Sequence, residues 1–205
     1  MVQEVAVTTD ARVVSLVRQA NIPPRFVYAG GADEARIKKT MAASTPKDFL
    51  KTYFQMFMQG NFIVTQDPAK AVEIRDHVGK GLWLTTPDDR GHFYAATLLQ
   101  TALVLGAAKS GLYLTVNDLV EAESPNADER LGDHRWVDLM VIQDVGTHHQ
   151  SASGWSDNLI SGVLSRRYDR GLPTVISTPV ARSLSGLPDD YQMRSAFSEV
   201  TWTKE

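Results

Sequence analysis

A three-layer α/β domain built on a parallel sheet is the fold class this sequence predicts, and three stretches predict it. The run 136–146 is apolar from Leu139 to Ile142 and closes on Asp144 and Gly146, which reads as a buried strand delivering an acid to its C-terminal end. Residues 155–168 then place Leu159, Ile160, Val163 and Leu164 at helical spacing, and Gly171 stops that helix before a β-branched run at 173–177. Strand, crossover helix, strand is a parallel unit. The third stretch is a buried strand at 81–85 followed by a helix over 91–105, with Ala95, Leu98, Leu99, Ala102 and Leu103 forming a broad apolar surface. Parallel sheets place their sites at the C-terminal strand ends, so Asp144 and the turn Ser177-Thr178-Pro179 are where a site is sought.

Composition narrows the class further. A chain of 205 residues with 43% hydrophobic content is long enough for a single well-buried core, with at most a short lead segment. We expect residues 1–20 to be that lead, or a short helix, and residues 21–205 to be the domain. The absence of cysteine excludes disulfides, thiolate metal sites and cysteine nucleophiles. No apolar run approaches the roughly 20 residues a bilayer span requires, and no signal-peptide pattern opens the chain, so a cytoplasmic protein without membrane contact is expected. A formal charge of -3 supplies no global attraction to nucleic acid, though it leaves room for a local basic patch.

Along the chain, Asp10 is placed to cap a helix at 11–19, which the prolines Pro23 and Pro24 end. A helix over 45–59 is expected from Phe49, Leu50, Tyr53, Phe54, Phe57 and Met58, a stripe read as core packing. Residues 69–78 read as a short helix or an irregular connection, and 121–130 as a surface loop.

Between the strand at 81–85 and its helix lies Thr86-Pro87-Asp88-Asp89-Arg90, ahead of Gly91. Strand, short loop and glycine-opened helix is the layout of a phosphate-binding loop, in which free backbone N–H groups hold an anion. The residues contradict that use. Matching Gly91 to the second glycine of G-x-x-x-x-G-K-[ST] puts Thr86 at the first glycine, His92 at the lysine and Phe93 at the magnesium-binding hydroxyl.

The order of motifs nevertheless resembles a family. The segment Asn21-Ile22-Pro23-Pro24-Arg25-Phe26 is followed by Gly81-Leu82-Trp83-Leu84 and Gly111-Leu112-Tyr113-Leu114. After these come the run 137–146, Arg167-Tyr168 and the run 171–178. Over residues 20–200 this series is similar to the AAA+ domain of DnaC/DnaI-type replicative helicase loaders and their IstB-like transposition relatives. The resemblance implies a P-loop NTPase fold and a vestigial nucleotide site at Thr86, Asp89, Gly91, His92, Phe93, Gln143 and Asp144.

It equally implies that the chemistry has been lost. Histidine is too short to bracket two phosphates, and phenylalanine offers magnesium no oxygen. Asp88 and Asp89 bring negative charge to a loop that should receive it. The acid pair of the family's second motif corresponds to Gln143-Asp144, one of the two now an amide. Pro179 stands at the sensor position, and Ala196 stands where the finger arginine belongs, with Arg194 close by. The resemblance therefore implies a catalytically silent protein without cofactor, acting in DNA replication or its control through an AAA+ loader, an initiator or a replicative helicase. Family members carry a separate helicase-binding domain ahead of this one, and its absence from the resemblance points to an adaptor, cap or inhibitor. The alternatives are ATP and magnesium held in a rearranged loop, or a transposition-type helper that binds single-stranded DNA.

Other groups have plainer readings. His148 and His149 lack a third ligand at recognisable spacing, so a solvated loop is expected over a metal site. Ser151, Ser153 and Ser156 lack the G-x-S-x-G elbow and read as a polar loop and helix N-cap. Arg166, Arg167 and Arg170 suit the C-terminal end of a helix dipole, and together with Arg194 are candidate contacts to a partner or to DNA.

Overall fold

The computed structural model describes residues 11–26, 78–104, 107–123, 134–147, 154–189 and 191–201. Five strands form a parallel sheet: β1 (Gly81–Thr85), β2 (Gly111–Thr115), β3 (Leu139–Gln143), β4 (Thr174–Thr178) and β5 (Phe197–Thr201). Their spatial order is β2-β3-β4-β1-β5. Leu82 pairs with Val175, Val141 with Val175, Gly111 with Leu139 and Gly81 with Phe197, which fixes one register across the sheet.

Successive strand residues point to opposite faces, and each face is apolar because each is covered. On one side Leu82, Leu84, Val141 and Val175 pack with Leu98, Leu99 and Leu103 of helix α2 (Arg90–Val104) and with Val17 and Ala20 around α1 (Ala11–Gln19). On the other, Trp83, Met140, Ile142 and Ile176 meet α3 (Val116–Ala122), α4 (Trp155–Asp169) and α5 (Tyr191–Ala196). The result is the three-layer parallel α/β architecture expected from the sequence. No helix among the described residues is long and apolar enough to cross a membrane.

Several expectations change at this level. Helix α1 is the short helix expected at 11–19; it belongs to the same core as the sheet, and the Tyr113 N–H donates to the Ala20 carbonyl at 2.7 Å. The run 136–146 forms a ladder only from Leu139 to Gln143, while Trp136 closes a 3-10 turn. Helix α3 follows β2 directly and is held by a capping box in which Thr115 and Asp118 satisfy each other's backbone N–H groups. It ends at Ala122, so Glu121 and Ala122 of the loop expected at 121–130 are helical, and residues 124–130 lie outside the described residues. The N-cap of α4 is Gly154, in the left-handed region, and not a serine. Ser156 lies inside that helix with its hydroxyl buried and unpartnered among the described residues. The helix expected at 45–59, most of 69–78, and His148, His149, Ser151 and Ser153 lie outside the described residues.

The connections diverge beside β1. The chain leaves β1 into α2 on one face, and leaves β3 and β4 into α4 and α5 on the other. Such a reversal opens a crevice at the C-terminal strand ends. Around it stand the loop after β1, Asp144 after β3 and the end of β4.

Candidate functional site

The loop after β1 is tied at both ends. The Thr86 N–H donates to the Thr178 carbonyl at 2.9 Å, extending the β1–β4 ladder by one rung. The Thr86 hydroxyl donates to the Asp88 carbonyl at 2.7 Å. Asp88 then turns its own carboxylate onto the start of α2, where Oδ1 accepts the Arg90 N–H at 3.0 Å. Arg90 Nε also donates to both Asp88 oxygens, at 3.0 and 2.9 Å, and this hydrogen bond holds the Arg90 pKa above its ordinary value. A carboxylate of the chain itself thus engages the first amide of α2. Asp89, one of the vestigial-site residues named from the sequence, is exposed and faces Arg25 at 3.8 Å.

Gly91 lets α2 approach the sheet. A Cβ there would stand 2.5 Å from Thr86 Oγ1 and 2.9 Å from Ser177 Oγ. This close approach carries the next residue, His92, into the crevice with its side chain only 7% exposed. Its Nδ1 lies 2.8 Å from Ser177 Oγ, and its Nε2 lies 3.3 Å from Asp144 Oδ1. Phe93 is partly buried and meets Tyr94 edge to face at 5.8 Å.

Asp144 adopts a left-handed backbone at φ 67, a conformation that short polar side chains tolerate better than most. Three bonds hold it: its N–H donates to the Ser177 carbonyl, and its own carbonyl accepts from the N–H and hydroxyl of Thr147. Gln143 Nε2 donates to Asp144 Oδ2 at 2.9 Å, and the Tyr113 hydroxyl donates to Gln143 Oε1 at 3.0 Å. Burial pushes the Asp144 carboxyl upward, but the hydrogen bond and charge of His92 and the hydrogen bond from Gln143 outweigh it, so its pKa falls below the ordinary value. Burial, reinforced by the Asp144 charge, raises the Tyr113 phenol well above its usual range.

Tyr113, Gln143, Asp144, His92 and Ser177 therefore form one hydrogen-bonded chain across β2, β3, α2 and β4. Serine, histidine and aspartate in sequence are also the members of a hydrolytic triad. Here the serine is fully buried, and Gly91 lies directly against its hydroxyl. A reacting carbonyl has no approach to it, so the chain positions groups without presenting a nucleophile. Among the described residues no three His, Asp or Glu side chains gather as a metal site.

Of the residues singled out in the sequence, Thr86, Gly91, His92, Gln143 and Asp144 are brought together. Tyr113 went unnoticed, because only the register of β2 against β3 places its hydroxyl beside Gln143. At the turn after β4, Pro179 is exposed. The polar group there is Thr178, whose hydroxyl donates inward to the Val145 carbonyl at 2.7 Å.

The arginine group separates. Arg166, Arg170 and Arg194 are exposed, whereas Arg167 is 1% exposed and cannot meet a partner. Its guanidinium donates to Thr174 Oγ1 and to the carbonyls of Arg135, Val137 and Pro173, and burial lowers its pKa to about 10. It is a structural staple between α4 and the strands beside it.

Neither a protein-family model nor a curated protein matches the chain. Among solved structures it is similar to the DnaC helicase loader, with 16% identity over 75% of this chain and 99% of that one and a TM-score of 0.49. It is similar to DnaI, with 17% identity over 76% and 92% of the two chains and a TM-score of 0.47. It is also similar to AMPPCP-bound DnaA from Aquifex aeolicus, with 15% identity, 71% of this chain covered and a TM-score of 0.47. This chain spans about half the length of that initiator. At these identities the likeness is one of fold alone: a parallel α/β sheet between helical layers.

Proposed function

We propose that the chain is a catalytically silent, helicase-loader-like protein that acts in DNA replication or its regulation through contacts with an AAA+ loader, an initiator or a helicase. The observation that carries this reading is the self-closure of the loop after β1. Asp88 engages the α2 amide that an anion would need, and His92 is turned inward onto Ser177 and Asp144.

A magnesium nucleotide does not fit these residues. The position for a phosphate-bracketing cation holds a buried imidazole, and the next residue, Phe93, has no oxygen for a metal. Gln143 is an amide whose oxygen and nitrogen are both engaged. Asp88 and Asp89 add negative charge to the loop, screened by solvent and by their partners Arg90 and Arg25. Both apolar faces of the sheet remain fully packed, so what has been kept is a shape.

Calorimetric titration with ATP and magnesium tests the first half, and no micromolar binding is expected. Magnesium-dependent turnover would overturn the silent reading in favour of a working, if slow, ATPase. The second half is tested by adding the purified chain to a loader, initiator or helicase from the same cell. A change in ATPase rate or assembly is expected.

A further inference from the structure

β2 is an edge strand, and its outward backbone groups are closed by something other than a strand. The Tyr113 N–H donates to the Ala20 carbonyl at 2.7 Å, and the Tyr113 carbonyl accepts from Asn21 Nδ2 at 3.3 Å. At Thr115 the N–H goes to Asp118 Oδ2 at 2.8 Å. The turn after α1 thus supplies Tyr113 with the pair of bonds that a further strand would make.

From there the chain crosses the mouth of the crevice toward the loop after β1. Pro23 and Pro24 stiffen it, and the Phe26 N–H closes a 3-10 turn on the Pro23 carbonyl at 2.8 Å. Ile22 and Phe26 are buried, the Phe26 ring lying 6.2 Å from that of Tyr113. Arg25 sits over the Phe26 ring at 4.6 Å and faces Asp89 in the loop at 3.8 Å. Burial is the largest influence on both the Tyr113 phenol and the Asp144 carboxyl, and at each the Arg25 charge acts against it. That cation therefore lies beside the crevice.

Tyr113 joins this segment to the site. Its backbone and ring hold residues 20–26, while its hydroxyl donates to Gln143 Oε1 at 3.0 Å, the first bond of the series that runs through Asp144 to His92. The attachment is light beside that of the strands. Neighbouring strands share a whole ladder, whereas among the described residues the segment meets β2 through one backbone bond and one long side-chain bond. Its tie to the loop is an exposed ion pair, the weakest kind. Segments held this way open locally before the fold unfolds.

We infer that residues 20–26 are a strap across the crevice, and that the Tyr113 hydroxyl passes the docking of this strap to Gln143 and Asp144. With the strap down, the phenol is buried and aimed at Gln143. With the strap up, Tyr113 meets water, and Gln143 loses the donor that orients its amide toward Asp144. Helix α1, with Ser15, Arg18 and Gln19 exposed, is the handle. Whatever displaces α1 loosens the crevice, and whatever orders the crevice holds α1 down by the same factor. The inference rests on ties within the chain and stands whether or not the site binds nucleotide.

Two measurements on the full chain test it. In native-state hydrogen exchange the Tyr113 amide should exchange at least about tenfold faster than the Val141 amide of the interior strand β3, with a smaller urea dependence. Equal rates would mean that the segment leaves only when the whole fold does, and would overturn the strap. The link is tested by a mutant cycle in urea unfolding. Asn21→Gly suits the left-handed backbone at φ 54 and removes the side-chain bond, while Gln143→Leu strands the buried phenol. A loosened strap lets water reach that phenol, so the double variant should be destabilised by at least about threefold less in its unfolding constant than the product of the single factors. In a Tyr113→Phe background the two changes should become additive. Additivity in both backgrounds, or the same coupling in both, overturns the role of the hydroxyl; Gln143→Ala takes the place of Gln143→Leu should the latter fail to fold.

Discussion

His92 Nε2 stands 3.3 Å from Asp144 Oδ1, bringing a helix-borne imidazole against a carboxylate held in a left-handed turn. The pair joins α2 to the end of β3 across the crevice. With Ser177 on the other ring nitrogen, it commits both nitrogens of His92 to the protein itself.

Replacing His92 by alanine should therefore destabilise the fold by about 1–3 kcal/mol at neutral pH, since it leaves Asp144 half-buried with one fewer partner. The pH dependence has a definite sign. Asp144 has a folded pKa below its unfolded one, so its contribution is present above the ordinary carboxylate value of about 4 and is lost as pH falls through the depressed folded value. Without His92 the folded pKa rises, and this acid-linked loss becomes smaller or sets in at higher pH. Denaturant midpoints of both proteins between pH 2 and 7 check this; superimposable acid limbs would count against it.

Gly91→Ala should cost about 1–3 kcal/mol, because the added carbon meets Thr86 Oγ1 at 2.5 Å, Thr86 Cγ2 at 2.6 Å and Ser177 Oγ at 2.9 Å. Thr86→Ala removes two of those three contacts. In a double-mutant cycle the pair should thus be less destabilising than the sum of the single changes. Strict additivity, measured by urea unfolding, would show that α2 has room to shift.

Arg167→Met should be far more damaging than its surface neighbours suggest. It strands three carbonyls and the Thr174 hydroxyl in a buried position, an expected loss of about 3 kcal/mol or more. Lysine should not rescue it, having a single ammonium in place of the planar fork that reaches four acceptors. Arg166→Met, at an exposed position, should stay within about 0.5 kcal/mol. Thermal melts of the three variants distinguish a staple from a contact residue.

Sequence periodicity alone determined most of the framework. The buried runs at β1, β3 and β4 and the helices α1, α2 and α4 were legible because burial on one or two faces imposes a local pattern of apolar residues, whereas β2 entered only through the order of motifs shared with a family. The short α5 and the strand β5 were not, since β5 alternates buried Phe197 and Val200 with partly or fully exposed Ser198, Glu199 and Thr201 at the edge of the sheet. The unusual residues of the site, His92 and Gln143 above all, stood out against a motif. What occupies the site was a tertiary decision. Tyr113 reaches Gln143 only through strand register, and His92 reaches Ser177 and Asp144 only because Gly91 lets a helix touch the sheet. Arg167 and Arg170 have the same side chain three positions apart, yet one is buried among carbonyls and the other lies over Trp136. Local sequence carries the period of an element but not the identity of its neighbours, and it is the neighbours that decide whether a charge is a staple or a surface.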